Sequence, residues 1–117
     1  MDKTKSLRFN YEFVRVYRRG KYFSGKYCVL HCLPNRLPYN RLGVSTSRKV
    51  KGSIQRNRIR RLMREFYRLH EPDFVSGYDI VVLGRHVSED LNYGIIENDL
   101  MPLFERAKLV TEPAPGD

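Results

Sequence analysis

Basic side chains concentrate in one short segment of this 117-residue chain. Residues 48–68 contain nine lysines and arginines against a single acidic residue, Glu65. Residues 1–70 carry a net charge of +16, whereas residues 71–117 carry −7. Because solvated protein surfaces normally mix both signs, this imbalance favours a surface that binds a polyanion, as in nucleic-acid-binding domains. The alternative is a solvated helix face that only keeps the protein soluble.

The spacing within this segment predicts an amphipathic helix from near Ser53 to about Leu69, closed by Pro72. At 100° per residue its apolar and basic residues separate onto opposite sides. The apolar stripe consists of Ile59, Leu62, Met63, Phe66 and Leu69. The opposite side carries Asn57, Arg61, Arg64 and Arg68, with Arg56, Arg58 and Arg60 on the flanks. A guanidinium donates two parallel hydrogen bonds to a phosphate, so the helix is suited to nucleic acid, whether RNA or DNA, and its arginines should point away from the core.

The other reactive side chains do not form a catalytic or metal-binding pattern. Cys28 and Cys32 lie four residues apart on one predicted strand, so their Cα atoms are about 13 Å apart, too far for a disulfide. We expect both to be buried free thiols. The three histidines are not at metal-ligand spacing with either cysteine, and no phosphate-binding glycine loop occurs. The sequence therefore predicts no catalytic residue, no metal site and no small-molecule cofactor on this chain.

The remaining pattern predicts one α+β domain over residues 1–110 and a disordered tail over 111–117. We expect about four strands in a mixed sheet with three helices, in the order α-β-β-β-α-β-α. Besides the basic helix, the expected helices are Asn10–Arg19 and Asn92–Leu109, and the expected extended segments are Lys21–Phe23, Lys26–Leu33, Arg41–Ser47 and Tyr78–Leu83. No apolar run reaches the roughly 20 residues of a membrane span, and no secretory segment opens the chain. We therefore expect a cytoplasmic protein without a membrane partner.

Three segments resemble the protein subunit of bacterial ribonuclease P. Leu42–Val50 (LGVSTSRKV) followed by Arg56–Glu65 (RNRIRRLMRE) is similar to the signature of that family, in which an R-N-R motif opens a basic helix after a strand and a lysine-rich turn. Upstream, Tyr11–Gly20 resembles the family's D-F-x-x-V-F-x-x-G segment, and Tyr78–Val82 resembles its Y-D-I-V-V strand. The resemblance covers roughly residues 7–109.

The resemblance implies a small protein that assembles with a large catalytic RNA. In that family the RNA, using Mg²⁺ held mainly through RNA, cuts the 5′ leader from precursor tRNA, and the protein holds the leader in a cleft. Carried over by position, the catalytic-RNA face comprises Arg48, Lys49, Lys51, Arg56, Asn57, Arg58, Arg60, Arg61, Arg64 and Arg68. The leader cleft comprises Phe13, Tyr17 and His31, with Tyr27 expected on the same strand face as His31.

The sequence leaves two questions open. Spacing alone favours Phe13 and Tyr17 as core residues of a helix, whereas the resemblance places them in the leader cleft, where aromatic rings stack on bases. Two other functions would share the same electrostatics, a structural RNA-binding protein of ribosomal type and a DNA-binding helix protein. A structural binder needs no aromatic site for a single strand, and a helix-turn-helix protein has a helix rather than strands before its recognition helix.

Overall fold

Five strands form one mixed sheet in the computed structural model, which describes residues 3–111. The strands are β1 (Thr4–Ser6), β2 (Lys21–Ser24), β3 (Cys28–Pro34), β4 (Asn40–Thr46) and β5 (Tyr78–Gly84). Their order across the sheet is β1-β4-β5-β3-β2. β4 runs parallel to β1 and β5, while β3 pairs antiparallel with β5 and β2. The predicted α+β class is confirmed. The strand count differs from about four because the short polar segment TKS, which has no apolar pattern, adds β1 to the sheet edge.

Three helices accompany the sheet, as predicted, at nearly the predicted bounds. They are α1 (Asn10–Arg19), α2 (Ser53–His70) and α3 (Tyr93–Arg106). A short 3₁₀ turn, Glu71–Asp73, follows α2. α3 begins after Asn92, whose side chain accepts a hydrogen bond from the Ile95 N–H as an N-cap. It contains Pro102 and ends three residues before the predicted Leu109.

The helices lie on opposite faces of the sheet. α2 and α3 cover one face, where Cys28, Leu30 and Cys32 of β3 join the main apolar core. α1 lies on the other face, where Val16 and Val81 are fully buried. This alternation along β3 is as predicted, so His31 points away from the two thiols, since successive strand residues point to opposite faces. α2 connects the parallel neighbours β4 and β5, and residues 47–52 lead from the end of β4 to its first turn.

The apolar stripe of α2 is rotated slightly from the prediction. Ile59, Met63, Phe66 and Tyr67 are buried, whereas Leu69 is 49% exposed, so its predicted place in the stripe is wrong. Tyr67 replaces it because its hydroxyl finds hydrogen-bond partners in the first and fourth strands. The Tyr67 oxygen lies 2.8 Å from Thr4 Oγ1 and accepts from Asn40 Nδ2 at 3.2 Å, which satisfies the polar end of a buried tyrosine.

The two ends of the chain extend beyond the described region. Of the predicted tail 111–117, residues 112–117 lie outside the described residues, and the Thr111 N–H donates to the Asp73 carbonyl at 2.7 Å. Among the helices of residues 3–111, none has the length and apolar character that crossing a membrane requires.

Candidate nucleic-acid interface

The arginines on the flanks of α2 contact the chain itself. Arg56 Nη1 donates to the Val50 carbonyl at 3.3 Å, and Arg60 Nη2 donates to Thr46 Oγ1 at 3.3 Å. Arg58 Nη2 donates to the Leu91 carbonyl, so Arg58 is half-buried instead of pointing freely into solvent. These bonds connect the first turns of α2 to the end of β4 and to two neighbouring loops. Each guanidinium has five donors, so donors remain on all three for an external phosphate.

A second group of cations has no partner in the part of the chain that the structure describes. These side chains are exposed, and no hydrogen bond or ion pair within residues 3–111 involves their charged ends. The group, here called the basic face, comprises Arg48, Lys49, Lys51, Arg61 and Arg64. Arg68 differs, because it forms an ion pair with Glu65, which lowers the pKa of that carboxyl. The basic face therefore presents uncompensated charge beside the R-N-R turn.

Three aromatic rings form a row on the opposite face of the sheet, beside α1. The ring of Tyr17 meets His31 edge-on, with 4.8 Å between centroids, and the centroids of the Tyr22 and His31 rings are 6.1 Å apart. Tyr22 pairs directly with His31 in the β2–β3 register. Tyr17 is 38% and Tyr22 68% exposed. This aromatic row, Tyr17–His31–Tyr22, leaves ring surface open to solvent.

Two rings of the aromatic row, Tyr17 and His31, are uncharged at neutral pH. Burial lowers the pKa of His31, so its imidazole is neutral, and within the described residues its buried Nδ1 has no hydrogen-bond partner. Burial raises the pKa of Tyr17, an effect that a hydrogen bond with Ser45 partly offsets. Rings with open faces stack on nucleobases.

The other two residues predicted for the cleft make no ring contact with this pair. Phe13 lies one turn before Tyr17 on α1 and packs against β4 where only a glycine fits, because a Cβ at Gly43 would lie 2.4 Å from Phe13 Cε1. Phe13 thereby supports the buried contact of α1 with the sheet. Tyr27 precedes β3 and does not share its face with His31. Its ring packs against the α2–α3 core, 5.4 Å from the ring of His86. The structure therefore brings Tyr17 and His31 together, and leaves Phe13 and Tyr27 outside that pair.

A basic pocket continues the aromatic row toward the end of β5. Its apolar floor is formed by Val29 and Leu83, which are partners in the β3–β5 register. Four basic side chains surround this groove of about 540 Å³, namely Lys26, Lys49, Arg85 and His86. Among residues 3–111, no acidic side chain lines it. Aromatic rings that lead into a groove of positive charge are the pattern of single-stranded nucleic-acid sites.

Comparison with known proteins assigns the family. A family model described as Ribonuclease P matches residues 1–108. The chain belongs to the ribonuclease P protein family. It is 40% identical over 110 residues to the ribonuclease P protein component of Natranaerobius thermophilus, covering 94% of this chain and 96% of the relative. It is 46% identical over 106 residues to that of Clostridium botulinum strain Loch Maree, covering 90% and 96%.

Solved structures of ribonuclease P proteins share the fold. The Staphylococcus aureus RNase P protein superimposes with a TM-score of 0.80 at 28% identity, covering 91% of this chain and 97% of that one. The Thermotoga maritima protein gives a TM-score of 0.78 at 28% identity, covering 87% and 96%. The family resemblance seen in the sequence is confirmed. This ribonuclease P protein is a subunit of an endoribonuclease and works with an RNA subunit in a ribonucleoprotein.

Sequence reasoning missed four residues that the fold brings to the candidate site. Tyr22 joins the aromatic row only through the β2–β3 register, and Lys26 enters the pocket from the turn between those strands. Arg85 and His86 could have been found from the sequence, because only Gly84 separates them from the predicted strand Tyr78–Leu83. The ends of parallel strands meet at one edge of a sheet, which is where ligands bind in many α/β folds.

Proposed function

We propose that this chain binds the catalytic RNA of ribonuclease P through the basic face and the R-N-R turn of α2. On the other face of the sheet it holds the 5′ leader of precursor tRNA, so that the RNA subunit removes that leader. The observation that supports this most is the continuous path from the aromatic row to the basic pocket. Every base offers a face for stacking, while the cations follow the phosphates, so the path suits a strand of any sequence.

The two surfaces have different chemistry, which supports two different RNA partners. The basic face is exposed and purely cationic, as expected for a surface that neutralises phosphates of a folded RNA. The aromatic row offers rings that bases can reach only when they are unpaired. A structural RNA-binding protein of ribosomal type would need the first surface and not the second. The aromatic row therefore favours a subunit that also holds a single-stranded substrate.

Metal chemistry is assigned to the RNA in this proposal. Mg²⁺ is expected in the holoenzyme, and it prefers oxygen ligands such as carboxylates, phosphates and water. Within residues 3–111, no three His, Cys, Asp or Glu side chains come together in a way that could hold a metal ion, which supports placing the Mg²⁺ on the RNA. The chain's part is to position RNA, in the cytoplasm, without a small-molecule cofactor.

Reconstitution tests the proposal directly. Purified protein should not cleave precursor tRNA, whereas the protein added to a bacterial ribonuclease P RNA should increase cleavage at low Mg²⁺, because its cations replace metal ions in neutralising the RNA phosphates. The measurement is the rate of release of the 5′ leader with RNA alone, protein alone and both. Site-specific cleavage by protein treated to remove all RNA would contradict the proposal.

Removing charges from the basic face should reduce the salt dependence of catalytic-RNA binding. We expect Arg61→Gln combined with Arg64→Gln to weaken binding of the catalytic RNA and to lower the log–log salt slope by about 2, roughly one for each lost phosphate contact. Both side chains lack partners within the described residues, so the thermal stability should not change. The measurement is the Kd at several salt concentrations.

A charge-matched control makes this result specific. Arg36→Gln combined with Lys108→Gln removes the same charge at exposed sites outside α2 and the basic face, where neither side chain forms a hydrogen bond or ion pair within residues 3–111. The control pair should leave the salt slope nearly unchanged. Equal slopes for the two double variants would show that net charge, and not the basic face, determines binding.

A further inference from the structure

The side of α1 that faces away from the sheet carries its own set of aromatic and basic residues. At 100° per residue, the side opposite the buried Val16 holds four residues within about 100° of arc. This outer face of α1 consists of Tyr11, Val14, Arg15 and Arg18. Together with Asn10 and Arg19 they line one shallow surface groove. Packing within the protein does not explain why these residues occur together, because Tyr11 is 70% exposed and both arginines are exposed.

The charge of this outer face is uncompensated. Within the described residues neither Arg15 nor Arg18 forms a hydrogen bond or ion pair. The acidic residue of the same helix, Glu12, is fully engaged elsewhere. Its Oε1 accepts from the N–H groups of Arg8 and Phe9 at 2.8 Å each, and its Oε2 accepts from a guanidinium of β4 at 2.9 Å. The two arginines are therefore free to contact an anion.

An exposed aromatic stack adjoins these arginines. The rings of Phe9 and Tyr11 lie nearly parallel, 8° apart with 5.5 Å between centroids, although the two residues are 56% and 70% exposed. Isolated exposed aromatics are common on protein surfaces. A preformed parallel pair next to two unpaired guanidiniums is more specific, because it combines a stacking surface for bases with cations for phosphates.

The outer face of α1 is continuous with the aromatic row. Tyr17 lies on the flank of α1, and Val14, three residues earlier, is its neighbour on the helix surface. From Tyr17 the surface leads over Val14 to Arg18 and Tyr11. α2, by contrast, packs on the other face of the sheet. A strand on the outer face of α1 would therefore extend the leader path and would lie away from the surface proposed for the catalytic RNA.

We propose that the outer face of α1 binds further nucleotides of the same leader, upstream of those in the cleft. This inference rests on the proposed function. The basic pocket shares Lys49 with the basic face beside α2, so the leader end nearest the cleavage site lies toward the pocket. The leader RNA then runs along the aromatic row to α1. There the next nucleotides upstream stack on Tyr11, while Arg15 and Arg18 contact their phosphates.

A leader-length series tests this inference in the reconstituted holoenzyme. The probes are mature tRNA, precursor tRNA with a leader of a few nucleotides, and precursor tRNA with a leader several times longer. Arg15→Gln combined with Arg18→Gln should reduce affinity for the long-leader substrate roughly tenfold and lower its salt slope by about 2. Affinities for the short-leader substrate and mature tRNA should stay unchanged. Tyr11→Ala should remove the same long-leader advantage with little change in the salt slope.

The controls separate this inference from the proposed function. The charge-matched pair Arg36→Gln and Lys108→Gln should not affect the dependence on leader length. Equal loss for short and long leaders, or for mature tRNA, would overturn the inference, as would no loss at all. Circular dichroism verifies that each variant is folded. The variant Tyr17→Ala tests the proposed function, and its loss of affinity should already appear with the short-leader substrate. The two proposals can therefore fail independently.

Discussion

Replacing Arg41 with methionine should lower the free energy of unfolding by about 3 kcal/mol. Arg41 donates two parallel hydrogen bonds to Asp79, from Nε to Oδ1 at 2.8 Å and from Nη2 to Oδ2 at 2.7 Å. Its third nitrogen, Nη1, donates to Glu12 Oε2 at 2.9 Å. Asp79 is only 1% exposed. Without Arg41 it would be a buried carboxylate with one remaining side-chain donor among residues 3–111, Asn35 Nδ2 at 2.9 Å, and an uncompensated buried charge is strongly destabilising.

Denaturant unfolding measures this effect, and a double variant isolates its cause. Asp79→Asn in the Arg41→Met background removes the stranded charge, so it should recover part of the lost stability. Arg36→Met, at an exposed position without a side-chain partner in the described region, should change the free energy of unfolding by less than about 0.5 kcal/mol. A loss below about 1 kcal/mol for Arg41→Met would mean that solvent reaches Asp79 and stabilises its charge.

The same ion network fixes the position of α1 on the sheet. Glu12 caps the start of α1 by accepting the N–H groups of Phe9 and Arg8, and these bonds, together with Arg41, lower the pKa of its carboxyl from 4.5. A carboxyl whose pKa is lower in the folded state contributes its stabilisation above its unfolded pKa and loses it as the pH falls through the folded pKa. At neutral pH the network is therefore intact. It holds α1 where Tyr17 meets His31.

How far the sequence could predict the site depends on whether a contact is local or long-range. The period of α2 predicted its buried stripe and its arginines, because both follow from residue spacing along one helix. The exchange of Leu69 for Tyr67 could not be predicted, since it depends on hydroxyl partners in strands far away in the chain. The bond of Arg58 to Leu91 spans 33 positions. This bond therefore depends on how the segment before α3 packs against α2, which the R-N-R motif does not predict.

Strand register explains the differences in the cleft. The family resemblance indicated His31, yet its neighbour Tyr22 comes from the pairing of β2 with β3, which alternation alone does not set. Tyr27 was expected beside His31 on the assumption that the strand begins at Lys26. The strand begins at Cys28 instead, because Asp99 of α3 accepts the N–H groups of residues 26, 27 and 28 at 2.8–3.0 Å and holds that turn outside the sheet.

Tyr17→Ala should weaken binding of precursor tRNA by the holoenzyme while leaving mature tRNA unaffected. Loss of one stacked base corresponds to about 1–3 kcal/mol, or roughly 5- to 150-fold in Kd. Only precursor tRNA has a leader, so only its affinity should fall. Tyr17→Phe keeps the ring and loses only the hydroxyl near Ser45, so it should retain nearly all of the affinity. The measurements are both Kd values and the thermal unfolding midpoint of each variant.

A structural role for Tyr17 predicts a different combination of results. A fully buried aromatic residue cut to alanine costs about 3–5 kcal/mol of stability, and a destabilised protein would bind both tRNAs less well. Tyr17 is 38% exposed and its ring rests on His31 instead of entering the apolar core under α1, so we expect a smaller loss of stability than that. A large drop in the unfolding midpoint without a precursor-specific loss would make Tyr17 a packing residue. The leader contact would then have to lie with Tyr22, His31 and the basic pocket.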